Sequence, residues 1–583
     1  MILKYLKARE WALVIIITAF IVVQVWFDLM IPDHMYAITN LIQTGGTVDQ
    51  VMNEGWMMLV LAFGSLLTAL AIGYLAAYVA TSLSKRIRSL EFSRVQSFSA
   101  AEVNRFSTAS LITRATNDVT QVQMAVAMGL QVIIKAPILA GWAIIKISGK
   151  SWQWTTATAV AIIVMLVVIF VLMYFVVPRF KRIQWLTDEV NRHVRENLKG
   201  IRVIRAYNAE DYQEQKFEKA NEDLTSNNLF TGRAMALMMP VMSAVMSMLS
   251  LSIYWIGGII IAATVGIGSQ MLLFSDMITF LAYAMQVVMG FMMLVIVFII
   301  LPRAMVAARR IEEILDTEPS IKDGNVTASP GPTNGEIVFD RVGFKYPGAS
   351  DYVLKDISFK AEKGETIAFI GSTGSGKSTI VSLIMRSYDV TEGAIRIDGV
   401  DVRDYTLKAL HGKIGYVPQK ANLFSGTIAS NVAYGDRTSK SLEEEVRKAV
   451  AVAQSTDFVE NMEGGYDAAI AQGGTNVSGG QKQRLSIARA VFRRPEIYIF
   501  DDSFSALDYR TDRMLRSALK KETADVTSVI VAQRVGTIMD ADKIVVLDNG
   551  FIAGIGRHQD LLETCPVYKE IVYSQLSEEE VCR

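Results

Sequence analysis

Two hydrophobic patterns divide the chain. Before about Arg310, apolar residues come in long blocks separated by polar stretches. After it, short apolar runs alternate with turns and polar helical segments. Six blocks reach the roughly 20 residues that a helix needs to cross a bilayer: 11–29, 57–83, 124–147, 155–177, 234–263 and 277–302. Basic residues sit where the polar stretches begin. Lys4, Lys7 and Arg9 precede the first block, and Lys85, Arg86 and Arg88 follow the second. Arg179, Lys181 and Arg182 follow the fourth, and Arg303, Arg309 and Arg310 the sixth. An excess of Lys and Arg marks the cytoplasmic side, which places both termini inside. The outer connections are then 32–55, 148–154 and 264–276, with Trp26, Trp56, Trp152 and Trp154 at interface positions.

The inner connections, from Ser84 to about Gln123 and from Arg179 to about Arg233, are longer and keep helical composition. Structureless loops of that length are uncommon, so the membrane helices are expected to extend into the cytoplasm. Lys135 lies within the third block. An intramembrane lysine can line a water-filled substrate path, but snorkelling toward the inner surface is the simpler reading. The Met-rich run of Met235, Met238, Met239, Met242, Met246 and Met248 can form a pliable substrate surface, although packing is the plainer account. Pro137 and Pro240 are candidate kinks.

Composition agrees with this division. The chain has 583 residues, 51% of them hydrophobic and 20% charged. That is too long for one core and more apolar than a soluble protein of this size requires. The formal net charge is zero, which offers no electrostatic footprint for nucleic acid. The two cysteines, Cys565 and Cys582, have no metal-ligand spacing and suit a reduced cytosolic end. Residues 316–335 are rich in Pro, Gly, Ser, Thr and Asp and read as a linker. It joins a membrane region at 1–315 to an α/β domain at 336–583.

The chemistry lies in that second region. Gly371-Ser372-Thr373-Gly374-Ser375-Gly376-Lys377-Ser378-Thr379 follows a short apolar strand and opens a helix. This is the phosphate-binding P-loop pattern. Its glycines let backbone N–H groups turn toward phosphate oxygens, Lys377 adds a charge for the β- and γ-phosphates, and Ser378 offers a hydroxyl to Mg²⁺. Ile497–Asp501 reads as a buried strand ending in an acid that can hold the metal beside Ser378. Asn476-Val477-Ser478-Gly479-Gly480-Gln481 opens a second helix with a second anion-binding N-terminus. One domain does not need two such cradles on separate loops. The economical explanation is that the second serves a nucleotide held by another domain.

With these motifs in place, nearly the whole chain resembles the ABC transporter family, and within it exporter half-transporters. The fold implied is an α-helical transmembrane domain of six spans with long cytoplasmic extensions, followed by an α/β P-loop ATPase domain. The resemblance implies ATP and Mg²⁺ as cofactors. It implies that Tyr346 stacks on adenine, that Gln419 touches Mg²⁺ and senses the membrane domain, and that Ser478, Gly479, Gly480 and Gln481 form the signature, with Val477 where Leu is usual. Residues 505–508 match the D-loop. The inner connections match coupling segments at Ser107 to Asp118 and around residues 201–207. The second of these crosses to the ATPase domain of a partner in this family. The setting implied is a cell membrane, a bacterial plasma membrane, and a soluble ATPase working on nucleic acid or ribosomes is excluded by the six spans.

Two positions depart from the family. Asp502 stands where a catalytic Glu is usual, and its side chain is shorter by about 1.5 Å. Gln533 stands where the switch His is expected, and it can donate a hydrogen bond but cannot become cationic. A displacement near 1 Å can cost about 100-fold in rate. An impaired site beside a sound signature is the pattern of one subunit of a heterodimer with a second half-transporter. The alternatives are a slow homodimeric lipid or drug exporter and an ATP-regulated membrane protein that does not transport. The substrate, whether a small molecule, peptide or lipid, is not legible.

Overall fold

The computed structural model describes residues 2–328, 335–435 and 442–576. Cys582 and residues 329–334 of the expected linker lie outside them. The chain forms two compact units. One comprises residues up to Gln96 together with Ala109–Thr317, and the other Ser97–Thr108 together with the chain from Glu318 onward.

The first unit is built on six long helices: α1 (Ala8–Gln43), α2 (Val48–Gln96), then, past two short helices, α3 (Ala100–Phe106) and α4 (Thr108–Thr113), α5 (Val119–Ile147), α6 (Trp152–Ala206), α7 (Glu210–Ala263) and α8 (Ile267–Asp316). Among the described residues six segments are long and apolar enough to cross a membrane. Each helix packs one stripe inward. On α1 the stripe is Ile17, Ile21, Val25 and Leu29, and on α8 it includes Phe280, Tyr283, Ala284 and Val287, at the 3–4 residue spacing of one helix face. The helices continue well past the apolar blocks. At 55 residues α6 is about 80 Å long, and only residues 207–209 separate it from α7.

Several expectations are corrected. The first connection is residues 44–47 and not 32–55. Helix α1 runs through Pro32 to Gln43 and α2 starts at Val48, so the helices continue beyond the apolar blocks. Trp154 faces the bundle interior; it is 1% exposed and packs on Phe280 with ring centroids 5.4 Å apart. The methionines split by helix face: Met242 is buried, and Met239 and Met248 are exposed. Lys135 does not snorkel inward. Its Nζ lies 3.1 Å from Asp28 Oδ2 on α1, and Ser65 of α2 donates to the other Asp28 oxygen at 2.5 Å. Nearby, Lys146 pairs with Asp33 at 2.6 Å, and the Tyr283 hydroxyl also donates to Asp33.

The expected first coupling segment is also shifted. Residues 109–118 belong to the first unit, where Arg114–Asp118 forms a π-helical turn. It is Ser97–Thr108 that joins the second unit. There Ser99 caps α3, and Glu102 accepts hydrogen bonds from the Ser99 and Ser320 N–H groups at 2.8 and 3.2 Å. Asn104 donates to the Tyr388 hydroxyl at 3.1 Å.

The rest of the second unit holds two main sheets. In the six-stranded one the order is Phe551–Gly556, Lys543–Asp548, Thr366–Gly371, Thr527–Val531, Ile497–Asp501 and Ile414–Val417, all parallel except the first edge strand. The four-stranded sheet is antiparallel, and its core residues merge with the helix Lys377–Ile384 and one face of the larger sheet. Ile367 to Ile370 and Ile497 to Phe500 are buried without a break, as expected for parallel strands covered on both faces.

Candidate nucleotide site

Three neighbouring parallel strands, Thr366–Gly371, Thr527–Val531 and Ile497–Asp501, end at one edge of the sheet. The loops that leave them carry the P-loop, Gln533 and the Asp501–Asp502 pair. Carboxyl ends of parallel strands are where α/β sheets bind ligands. The P-loop turn requires its glycines. A Cβ on Gly376, at φ +101°, would meet Leu354 Cδ2 at 2.5 Å. One on Gly371 would meet the Leu547 carbonyl oxygen at 2.1 Å. The helix then starts at Lys377 and directs its N-terminal dipole into the loop.

Lys377 is 9% exposed. Its Nζ donates to the carbonyl oxygens of Gly371 and Ser372 at 2.8 and 2.7 Å and lies 3.4 Å from Ser375 Oγ. Burial holds its pKa below the ordinary lysine value, against the pull of Asp502 and Asp501. Ser378 Oγ donates to Asp501 Oδ1 at 3.1 Å. Burial raises the Asp501 pKa, and that bond works in the other direction. A hydroxyl and a buried carboxylate side by side, at the mouth of a phosphate cradle, are oxygen donors that suit Mg²⁺.

Asp502 sits at the centre of the second cluster. It adopts φ +48°, a left-handed conformation that Asp tolerates better than most residues. Its N–H donates to Val531 O at 2.9 Å, and Ser503 Oγ donates to Val417 O at 2.9 Å, which fixes the strand-end turn. One carboxylate oxygen, Oδ2, accepts from Gln419 Nε2 at 3.0 Å and from Gln533 Nε2 at 2.9 Å. The structure therefore brings the two departures together with Gln419.

Tyr346 lies beside the P-loop, its hydroxyl 3.0 Å from Thr379 Oγ1 and its ring edge-on to Phe344 and Tyr388. The signature stands apart. Ser478 caps the helix Gly479–Phe492 through a reciprocal box with Gln481. Among the described residues no hydrogen bond joins residues 478–481 to residues 371–379. The motif reading missed Gln483 and Ser503. Gln483 donates to Pro418 O at 3.0 Å and so ties the signature helix to the segment holding Gln419. Its only sequence signal was its place within Gln481-Lys482-Gln483, and its partner is 65 residues away.

Comparison with known proteins agrees with this arrangement. The sequence model of the ABC transporter family matches residues 354–505, and that of the ABC transporter transmembrane region matches residues 14–312. An uncharacterized ABC transporter ATP-binding protein of Mycobacterium tuberculosis is 39% identical over 552 residues, covering 94% of this chain and 93% of that protein. An ATP-dependent lipid A-core flippase of Haemophilus influenzae is 30% identical over 508 residues, covering 86% and 84%. Among solved structures, a bacterial Atm1-family ABC exporter with ATP bound shares the fold, with a TM-score of 0.79 at 23% identity over 98% of this chain and 100% of that one. Matched in both its membrane and its ATPase regions, the chain belongs to the ABC transporter family and is an ATP-driven exporter.

Proposed function

We propose that this chain is one subunit of a heterodimeric exporter. Its own nucleotide site binds ATP and hydrolyses it poorly, and its Ser478–Gln481 segment completes the competent site of a partner half-transporter. The observation that carries this reading is Asp502 Oδ2, engaged by both Gln419 and Gln533. Hydrolysis needs a group that orients or deprotonates the attacking water. Here the acid is one methylene short, its outer oxygen is occupied by two amides, and the switch residue is a neutral amide.

In this reading Tyr346 stacks on adenine and Gly371–Thr379 wrap the phosphates, with Lys377 on the β- and γ-phosphates. Ser378, Asp501 and Gln419 would hold Mg²⁺, which would neutralise phosphate charge. ATP binding draws the two ATPase domains together and turns the helices outward, and hydrolysis at the partner's centre resets them. The basic residues flanking the spans support cytoplasmic termini.

The test is ATPase activity in purified preparations. The chain alone should turn over ATP near background, and co-expression with its partner should restore activity. Robust turnover by the lone chain would overturn the heterodimer. A second reading, a slow homodimeric lipid exporter, draws support from the 30% identity to a protein named as a lipid A-core flippase. Native mass spectrometry finding one subunit species in an active preparation would favour it.

A further inference from the structure

The loop carrying Gln533 is held from behind by the C-terminal region. The helix Pro566–Tyr573 buries Tyr568 and Val572 in one core with Ala532, Val535 and Ile538. Just past this helix, the side-chain amide of Gln575 closes a two-point clamp on the loop backbone. Its Nε2 donates to Gln533 O at 2.8 Å, and its Oε1 accepts from Val535 N at 2.9 Å. Only one orientation of the amide satisfies both bonds, because one end must donate and the other accept. Among the described residues the loop has one further side-chain tie from outside it, from Arg516 to Gly536 O at 2.9 Å. That tie lies beyond Val535 and leaves the Gln533 backbone to Gln575. From this backbone the Gln533 side chain reaches Asp502 Oδ2.

We propose that Gln575 is a positioning residue of the nucleotide site. It fixes the peptide at Gln533 so that the Gln533 amide stays aimed at Asp502 and at the terminal phosphate. The C-terminal helix thereby sets how well the site tells ATP from ADP. This rests on Gln533 facing the terminal phosphate and is independent of whether the partner is a second gene product or a second copy.

The clamp lies at an exposed side chain, with the bond to Gln533 exposed and the bond from Val535 part-buried, so the effect is modest, about a three- to tenfold change. The experiment measures equilibrium binding of a non-hydrolysable ATP analogue and of ADP to the full-length exporter in lipid nanodiscs. Gln575→Ala should weaken the ATP analogue by about that factor and leave ADP unchanged. Gln575→Glu, which keeps the acceptor for Val535 but turns a carboxylate toward the Gln533 carbonyl, should do the same. Gln533→Ala should lower the ATP-to-ADP ratio, and adding Gln575→Ala to it should lower the ratio no further. A residue that merely supports the fold would lower the melting temperature and weaken both nucleotides equally, and that result overturns the proposal. If Gln533→Ala shifts the ratio and neither Gln575 variant does, the clamp alone is refuted. If Gln533→Ala leaves the ratio unchanged, the placement of Gln533 at the terminal phosphate fails, and the clamp's role with it.

Discussion

Lys377 and Lys135 are both largely buried ammonium groups, and the molecule treats them in opposite ways. Among the described residues, Lys377 makes its hydrogen bonds to two carbonyl oxygens and lies near one hydroxyl. These partners are neutral, and Asp501 and Asp502 attract it only from farther away. Lys135 is set directly against Asp28, whose second oxygen is taken by Ser65. Dipoles stabilise a cation without cancelling it, so an arriving anion can claim Lys377 without breaking an ion pair. An anion arriving at Lys135 would have to displace a carboxylate first. The partner, more than the burial, decides whether a lysine is available for chemistry or spent on structure.

The largest test of this contrast is Lys377→Met. Removing a preorganised cation from a phosphate site costs about 3–4 kcal/mol, or about 100- to 1,000-fold in affinity for an ATP analogue. Stability should move the other way. Burial lowers the Lys377 pKa in the folded chain below the ordinary 10.5, so the protonated lysine opposes folding at neutral pH. That opposition is relieved only as pH rises through the folded value toward 10.5. Methionine should therefore leave the melting temperature at pH 7 equal or higher, with the advantage shrinking in alkali. A marked loss of stability at pH 7 would show that Lys377 is structural after all.

Next in size is Lys413→Met, which asks whether the contrast is only one of membrane against cytosol. Lys413 lies in the ATPase unit, yet it is paired. Its Nζ is 2.9 Å from Asp398, a carboxylate with no exposed surface, and it also bonds Glu496. Burial alone would depress its pKa, but the bonds to Glu496 and Asp398 win and raise it. Substitution leaves a buried carboxylate short of a partner, at about 3 kcal/mol. Because the folded pKa is raised, the lysine's contribution is complete below the unfolded value and is lost as pH rises through the folded one. The gap in melting temperature between native chain and variant should stay constant from about pH 6 to 9 and close only in strong alkali. ATP-analogue affinity should not change, and a large drop would break the rule that paired lysines are structural.

The same contrast explains what could be read before the fold was known. The P-loop, the strand ending in Asp501 and the Ser478 turn are local devices. Each requires certain residues within a few positions because one stretch of backbone must take one shape, and so each is legible. Lys135 stood out as a charge in an apolar block, but Asp28 is 107 positions away. Whether the two meet depends on how α1 and α5 rotate against each other, which periodicity does not fix. The departures at Asp502 and Gln533 were visible one at a time. That Gln533 and Gln419 both bond one oxygen of Asp502 required the parallel order of the strands they follow, Thr527–Val531, Ile414–Val417 and Ile497–Asp501. The helix ends within residues 32–55 are not legible from apolar composition, because a helix continues after composition turns polar when its backbone bonds persist.

Lys135→Met should cost about 1–3 kcal/mol, read as a lower melting temperature in nanodiscs. The two side chains are 18% and 21% exposed, so the cost falls short of that for a fully buried pair. Adding Asp28→Asn should recover most of the loss, since no charge is then left without a partner. Failure of the double variant to recover would mean that Lys135 packs, or is used, through something other than its charge.

The smallest effect belongs to Lys146→Met. Lys146 pairs with Asp33 at 2.6 Å, closer than Lys135 to Asp28, but the two side chains are 33% and 37% exposed. The pair stands at the last turn of α5, at the end of its span, and Asp33 keeps a second partner in the Tyr283 hydroxyl. The expected cost is under about 1 kcal/mol, shrinking further in about 0.5 M salt. The comparison with Lys135→Met separates two accounts of an ion pair in this bundle. If distance set the energy, the shorter Lys146 pair would be the costlier one to break. If exposure and the number of remaining partners set it, the Lys135 pair costs more. Melting temperatures of the two single variants, measured side by side at low and high salt, decide between them.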